Sequence, residues 1–305
     1  MELGFDEFSL RVYHALSSRS RLDILRELSE KPCTATDLAR KLYLSKSVLS
    51  RHLQQLEHVG IIRKSTRTDA DLRRQYYSMN VDRAEIFFPH KVYLPFELAK
   101  QEIPIGYYSD FSVEPTCGLV TDKEIIGTID DPRSFADIKR VHASLLWFSN
   151  GFIEYRIPNP INRDMHPQML EISAELSSEF PVSNNAWKSD ISFIINDVLV
   201  GTWTCPGNFS DVRGRLTPQW WNSEYSQYGL LKHIRINTEN SGIDGEKLSD
   251  VNIEDLHLDT NPFIDLKIGI LDDAAHIGGI TLFGKAFGNH PQDISVRVYY
   301  SQKES

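Results

Sequence analysis

Residues 45–60 read Ser45-Lys46-Ser47-Val48-Leu49-Ser50-Arg51-His52-Leu53-Gln54-Gln55-Leu56-Glu57-His58-Val59-Gly60. Val48, Leu49, Leu53, Leu56 and Val59 recur at helical spacing, so the stretch predicts an amphipathic helix with one apolar face. Ser45 stands where a side-chain oxygen caps the first turn, and Gly60 where a left-handed residue ends the last. Opposite the apolar face lie Lys46, Ser47, Ser50, Arg51 and Gln54. Small polar and basic side chains of this kind suit the major groove of a DNA duplex, where they meet base edges or phosphates.

Working outward, residues 6–17 carry Phe8, Leu10, Val12, Tyr13 and Leu16 at helical spacing, and residues 18–29 carry Leu22, Ile24, Leu25 and Leu28. Pro32 follows where a proline cannot continue the helix. Thr34 and Asp37 have the spacing of a capping box and predict a short third helix. Beyond Gly60, two strands are predicted near 61–66 and 74–79, joined by a polar turn at 68–71. Helix, helix, short helix, long helix and basic hairpin, in that order, describe a winged helix-turn-helix. Arg63, Lys64, Arg67, Arg73 and Arg74 fall within twelve residues of that hairpin. They suit phosphates or an adjacent minor groove, although a solvated hairpin has the same composition.

Charge divides along the chain. Residues 1–85 hold 15 Lys and Arg against 12 Asp and Glu, a balance of +3, while the remainder holds 18 against 30, a balance of −12. Such asymmetry is expected when one part meets nucleic acid. The three cysteines, Cys33, Cys117 and Cys205, are scattered. They suggest neither a disulfide framework nor a zinc site. No long apolar run and no basic-then-apolar leader is read, so a cytoplasmic protein without membrane contact is expected. No cofactor is implied.

Residues 8–80 resemble the DNA-binding domain of ArsR-type repressors. The likeness is carried by Ser45-Lys46-Ser47-Val48-Leu49-Ser50-Arg51-His52-Leu53 and by the Leu56–Ile62 lead into the wing. It implies a homodimer on a palindromic operator, with Ser47, Ser50, Arg51 and Gln54 near bases and Arg63, Arg67, Arg73 and Arg74 near phosphates. Metal-sensing members carry Cys-x-Cys directly before the Asp-Leu of the third helix. Here Thr34-Ala35-Thr36 precedes Asp37-Leu38, and Cys33 has no cysteine partner, so it reads as structural.

Residues 83–104 read as a linker or interdomain helix between a DNA-binding domain at 1–82 and a second domain at 105–305. Phe87, Phe88, Val92, Tyr93 and Leu94 are too apolar for a free tether and predict packing between domains or a dimer seam. From Ile105 onward, short segments rich in β-branched and aromatic residues alternate with turn residues such as Asn196-Asp197, Asn240-Ser241-Gly242 and Gly278-Gly279. That texture predicts an antiparallel β-sandwich of jelly-roll type, giving an α+β multidomain chain.

The second domain carries no Gly-x-Ser-x-Gly, Walker A or His-Glu-x-x-His motif, so no enzyme is expected. Glu154, Glu171 and Glu175 are the carboxylates from which a glycosidase pair would have to be drawn, though outward-facing acids on strands are commoner. The densest chemistry lies in residues 201–232, where Trp203, Asp211, Arg213, Arg215, Trp220, Trp221 and Tyr228 gather in a loop-like stretch. Aromatic faces beside bidentate polar groups suit a small polar ligand. Any one Trp fits a core plug as well; the cluster as a whole favours a binding site. The stretch is similar to one in a group of predicted ArsR-type regulators of Gram-positive bacteria, and that resemblance implies a saccharide effector. The expected function is therefore a ligand-responsive DNA-binding regulator. The alternatives are a sandwich that only assembles the protein and, further off, a DNA-tethered carbohydrate-active enzyme.

Overall fold

A computed structural model of the chain describes residues 1–69, 72–81, 83–86 and 96–303, with backbone alone for Glu2, 66–69 and 72–74. It divides into two compact units, Met1–Pro95 and Phe96–Ser305.

Among the described residues the first unit holds four helices, α1 (Glu7–Leu16), α2 (Arg19–Glu30), α3 (Ala35–Lys41) and α4 (Lys46–His58). Their ends are set by local chemistry. Asp6 accepts from the Ser9 amide at 2.7 Å and Ser45 from the Val48 amide at 3.3 Å. Thr34 accepts from the Asp37 amide at 3.2 Å and donates its hydroxyl to the Asp37 carboxylate at 2.7 Å. Gly60 takes φ +74°, and the Ile61 amide reaches back to the Leu56 carbonyl at 3.1 Å. This is the Schellman closure expected of a glycine just past a helix. Ile24, Leu28, Leu38, Leu49, Leu53, Leu56, Ile61 and Ile62 form one buried core. Phe8 and Leu10 were expected among the apolar positions of α1 but are 42% and 46% exposed, because Val12 and Ala15 take the inward stripe.

The wing strands run Ile62–Asp69 and Leu72–Met79, longer than expected, in antiparallel register that pairs Arg67 with Arg74 and Thr68 with Arg73. The tip of the expected turn, residues 70 and 71, and Phe87, Phe88, Val92, Tyr93 and Leu94 lie outside the described residues.

The second unit is a single antiparallel sheet of 13 strands among the described residues, folded around one large core. Several of its strands alternate inward and outward as a half-buried sheet must: Ile264, Leu266 and Ile268 of Phe263–Gly269 are buried while Phe263, Asp265 and Lys267 are not. The long strand Leu145–Pro158 pairs with Ile280–Phe283 at one end and with Phe263–Gly269 at the other, carrying the sheet around the core. Asn196 and Asp197 form the expected turn with φ +50° and +66°, the conformation a two-residue hairpin needs.

Two expectations are corrected. Glu97–Ile103, placed by sequence in a linker or interdomain helix, is a strand paired with Ile294–Tyr300. Its half-buried side is Ala99, Gln101 and Ile103, and its other side, Leu98, Lys100 and Glu102, is exposed, with the two charged residues suited to an edge. Ser241 and Gly242, expected in a turn, lie in the strand Ser241–Ile243; the chain turns at Asp244-Gly245, with φ +51° and +94°.

Candidate functional site

The surface expected to meet DNA lies on α4. Its buried side is Leu49, Leu53 and Leu56; Ser45, Lys46, Ser47, Ser50, Arg51 and Gln54 are all exposed. Ser45 and Ser47 hydroxyls lie 3.2 Å apart at the helix start. The turn before α4 carries Tyr43 at φ +52°, 95% exposed. His52 is half-buried beneath this surface, and burial together with the Arg21 and Arg51 charges pulls its pKa below the usual value. Its Nδ1 finds no partner among the described residues. A neutral His52 therefore supports α4 from below, while Arg51 carries the charge.

In the wing, Arg63 is exposed and donates weakly to the Ser78 hydroxyl at 3.4 Å. Lys64 is engaged with Glu57 at 2.8 Å. The side chains of Arg67, Arg73 and Arg74 lie outside the described residues; their backbone sits on the two wing strands. Sequence reading missed Arg11, His14 and His58, which join Arg51 and Gln54 around a cleft of about 470 Å³. No local signal marks them, because α1 meets α4 only through tertiary packing. Cys33 is buried in the core, where burial raises its thiol pKa.

In the second unit the expected ligand residues do not share one environment. Trp221 is 6% exposed and packs on Trp147, Phe287 and Tyr225, with ring centroids 5.4–5.8 Å away. Its indole N–H donates to the Ser226 carbonyl at 3.0 Å. Arg213 donates to the Pro218 carbonyl at 2.6 Å and the Trp221 carbonyl at 3.1 Å, so its guanidinium holds the loop's own backbone. Gly214 between the two arginines is a packing glycine: a Cβ there would sit 2.0 Å from the Gln227 carbonyl oxygen.

The other expected residues reach solvent. Trp220 is 42% exposed, with its N–H on the Asp122 carbonyl at 2.7 Å. Asp211 accepts from the Tyr228 hydroxyl at 2.8 Å, and the Tyr228 ring stacks on Phe209 at 5.4 Å. The Arg215 side chain is exposed. Trp203 lies on the strand Val198–Cys205, with the Lys232 ammonium 4.6 Å from its ring.

The three carboxylates considered for a glycosidase pair are occupied. Glu154 pairs with Lys267 at 2.8 Å. Glu171 and Glu175 are 2% and 1% exposed. Glu175 takes the backbone amides of Gly229, Asn289 and His290. Burial pushes its pKa up to about 7 against the pull of His290 and those amides. Glu171 is held between Arg235 and Arg297. Among the described residues no helix is long and apolar enough to cross a membrane, and no group of three or more His, Cys, Asp and Glu could hold a metal.

Residues 16–65 match the helix-turn-helix domain family. The transcriptional regulator HlyU of Vibrio vulnificus is 31% identical over 24% of this chain and 73% of its own, with a TM-score of 0.21. The homodimeric winged helix-turn-helix DNA-binding domain of Mb0332 from Mycobacterium bovis, described as a possible ArsR-family transcriptional regulator, is 26% identical. That match covers 25% of this chain and 67% of that one, with a TM-score of 0.22. A carbohydrate-binding module, CBM36 in complex with calcium and xylotriose, is 9% identical over 67% of this chain and 99% of its own, with a TM-score of 0.27, too low to argue from. No curated protein matches the chain. The N-terminal unit therefore carries a winged helix-turn-helix domain of the kind found in transcriptional regulators.

Proposed function

We propose that the chain is a DNA-binding regulator that acts as a homodimer on a palindromic duplex, with α4 in the major groove and the wing on the backbone. The observation that carries this is the exposed row Ser45, Lys46, Ser47, Ser50, Arg51 and Gln54, set directly opposite the buried Leu49, Leu53 and Leu56. Phe5 and Phe8, 65% and 42% exposed at the start of α1, supply an apolar patch for the second copy. Selection from a randomised duplex library is expected to return a two-fold symmetric site bound by two chains. On that site Arg51→Ala should weaken binding roughly 10- to 100-fold, the worth of one good base or phosphate contact. Unchanged affinity for Arg51→Ala would remove α4 from the interface.

The second unit is proposed as the sensor of a saccharide or related polar metabolite, through the half-buried Trp203 on its strand and the side chains that the following loop leaves at the surface: Asp211, Arg215, Trp220 and Tyr228. Arg213 and Trp221 leave that set, since their polar groups hold the loop itself. All five tryptophans lie between Trp147 and Trp221, so intrinsic fluorescence follows the unfolding of this unit alone. A panel of mono- and oligosaccharides on the full chain is expected to give one saturable rise in its melting temperature, by mass action on the folded state. A panel with no response favours the other reading, a unit that only assembles the protein.

A further inference from the structure

The C-terminal half of α1 and the second half of α4 open onto the cleft of about 470 Å³ noted above, lined by Arg11, His14, Arg51, Gln54, Gln55 and His58 over Ala15 and Val59. Among the described residues no acidic one lines it. Arg21 fixes its width. That guanidinium donates to the Ala15 carbonyl at 2.5 Å, to the His14 carbonyl at 2.7 Å and to the Gln55 amide oxygen at 2.5 Å, tying the end of α1 to α4. A guanidinium only donates, so it must face the Gln55 oxygen, leaving the Gln55 NH2 as the group to present. Arg51 makes no ion pair and no side-chain hydrogen bond among the described residues. Arg11, His14, Arg51 and His58 are all exposed on this surface. The cleft is thus lined by donors, with the Asp6 carboxylate near Arg11 but outside the lining, on two helices locked together by a third cation.

We propose that this cleft is a phosphate-binding site that seats one phosphoryl group between the guanidinium forks of Arg11 and Arg51. Planar forks match phosphate oxygens in pairs, which ammonium groups do not. The phosphoryl group has two possible sources, the backbone of a bound duplex or a free phosphate ester. Arg51 and Gln54 belong at once to the cleft and to the DNA-facing row. A free phosphate in the cleft therefore takes groups that the duplex needs. This competition rests on the DNA reading of α4; occupation of the cleft does not.

The test uses the full chain and the exposed-residue variants Arg11→Ala and His58→Ala. Inorganic phosphate is titrated by calorimetry at constant ionic strength, and a mixed-sequence duplex is titrated by fluorescence anisotropy across a salt series. A free-phosphate source predicts saturable heat without DNA, weakened about tenfold or more by Arg11→Ala. Phosphate should then displace duplex beyond an equal ionic strength of chloride. A backbone source predicts no phosphate heat but a shallower salt dependence for Arg11→Ala, lower by about one released counterion. Phosphate binding with no duplex binding keeps the cleft and removes the DNA reading. Phosphate heat that survives Arg11→Ala, or no phosphate heat together with an unchanged salt slope, overturns the proposal.

Discussion

Trp221→Ala is expected to lower the stability of the second unit by about 3–5 kcal/mol, while Trp220→Ala lowers it by less than about 1 kcal/mol. The two indoles are adjacent in sequence, and their rings meet edge-on at 5.6 Å. Their environments differ entirely. Trp221 fills a small apolar cluster with Val120, Leu145, Trp147, Phe283 and Phe287, and its N–H is satisfied inside the loop. Removing it opens a cavity that these neighbours cannot close, because strand backbones hold most of them, and it orphans the Ser226 carbonyl. Trp220 is 42% exposed and spends one hydrogen bond on the Asp122 carbonyl. Urea unfolding followed by the remaining tryptophans separates the two. Equal small losses would remove Trp221 from the core and return it to the ligand set. The distinction matters for the sensor reading: a sugar response lost in Trp221→Ala reports unfolding, whereas one lost in Trp220→Ala, Asp211→Ala or Arg215→Ala reports contact.

The first unit was legible because its determinants are local. Asp6, Thr34 and Ser45 cap within three residues of themselves, Gly60 closes α4, and the apolar stripe of α4 repeats at helical spacing. The strands of the second unit were legible for the same reason, since alternation and turn residues such as Asn196-Asp197 are read over a few positions. Glu97–Ile103 escaped because its few apolar residues leave little alternation, and its partner strand lies almost two hundred residues away. The candidate ligand loop was half legible. Sequence shows that Trp203, Arg213, Trp220 and Trp221 are dense in aromatic and basic groups. Which carbonyls an arginine finds, and which indole turns inward, is decided by tertiary packing that no spacing records. The Arg11–Arg51 cleft was invisible for the same reason, since α1 and α4 meet only in the folded unit.

Glu171→Ala is expected to cost the second unit about 3 kcal/mol, the lower end of what breaking a buried ion pair costs. Glu171 lies in the strand Met165–Ser177, directly opposite Arg235 on one neighbouring strand and Arg297 on the other. Arg235 donates to one carboxylate oxygen and Arg297 to the other at 3.0 Å, while His233 approaches at 3.9 Å. Burial alone would raise the carboxyl, but the nearby His233 and the charge and hydrogen bond of Arg235 hold it down at about 2. A carboxyl with that pKa stays ionised and cannot be the general acid of a glycosidase pair, and both of its oxygens are taken by arginines, which leaves neither for a nucleophile. The cost of removal stays near the low end because the Arg235 side chain is 49% exposed and can turn to water, whereas Arg297, 19% exposed, cannot fully do so. Since the folded pKa is lowered, the carboxylate's contribution is present above the unfolded value of 4.5 and is lost as pH falls toward 2. Urea midpoints read by tryptophan fluorescence at pH 7 and pH 3 test both statements. The wild type should lose more stability on acidification than Glu171→Ala does. Replacing Glu171, Arg235 and Arg297 together by Leu should recover most of the loss at pH 7, because no charge is then left unpaired. A single variant as stable as the wild type, or a triple variant no better than the single, would mean that the three charges contribute nothing to one another and that the Arg–Glu–Arg arrangement does not hold these strands.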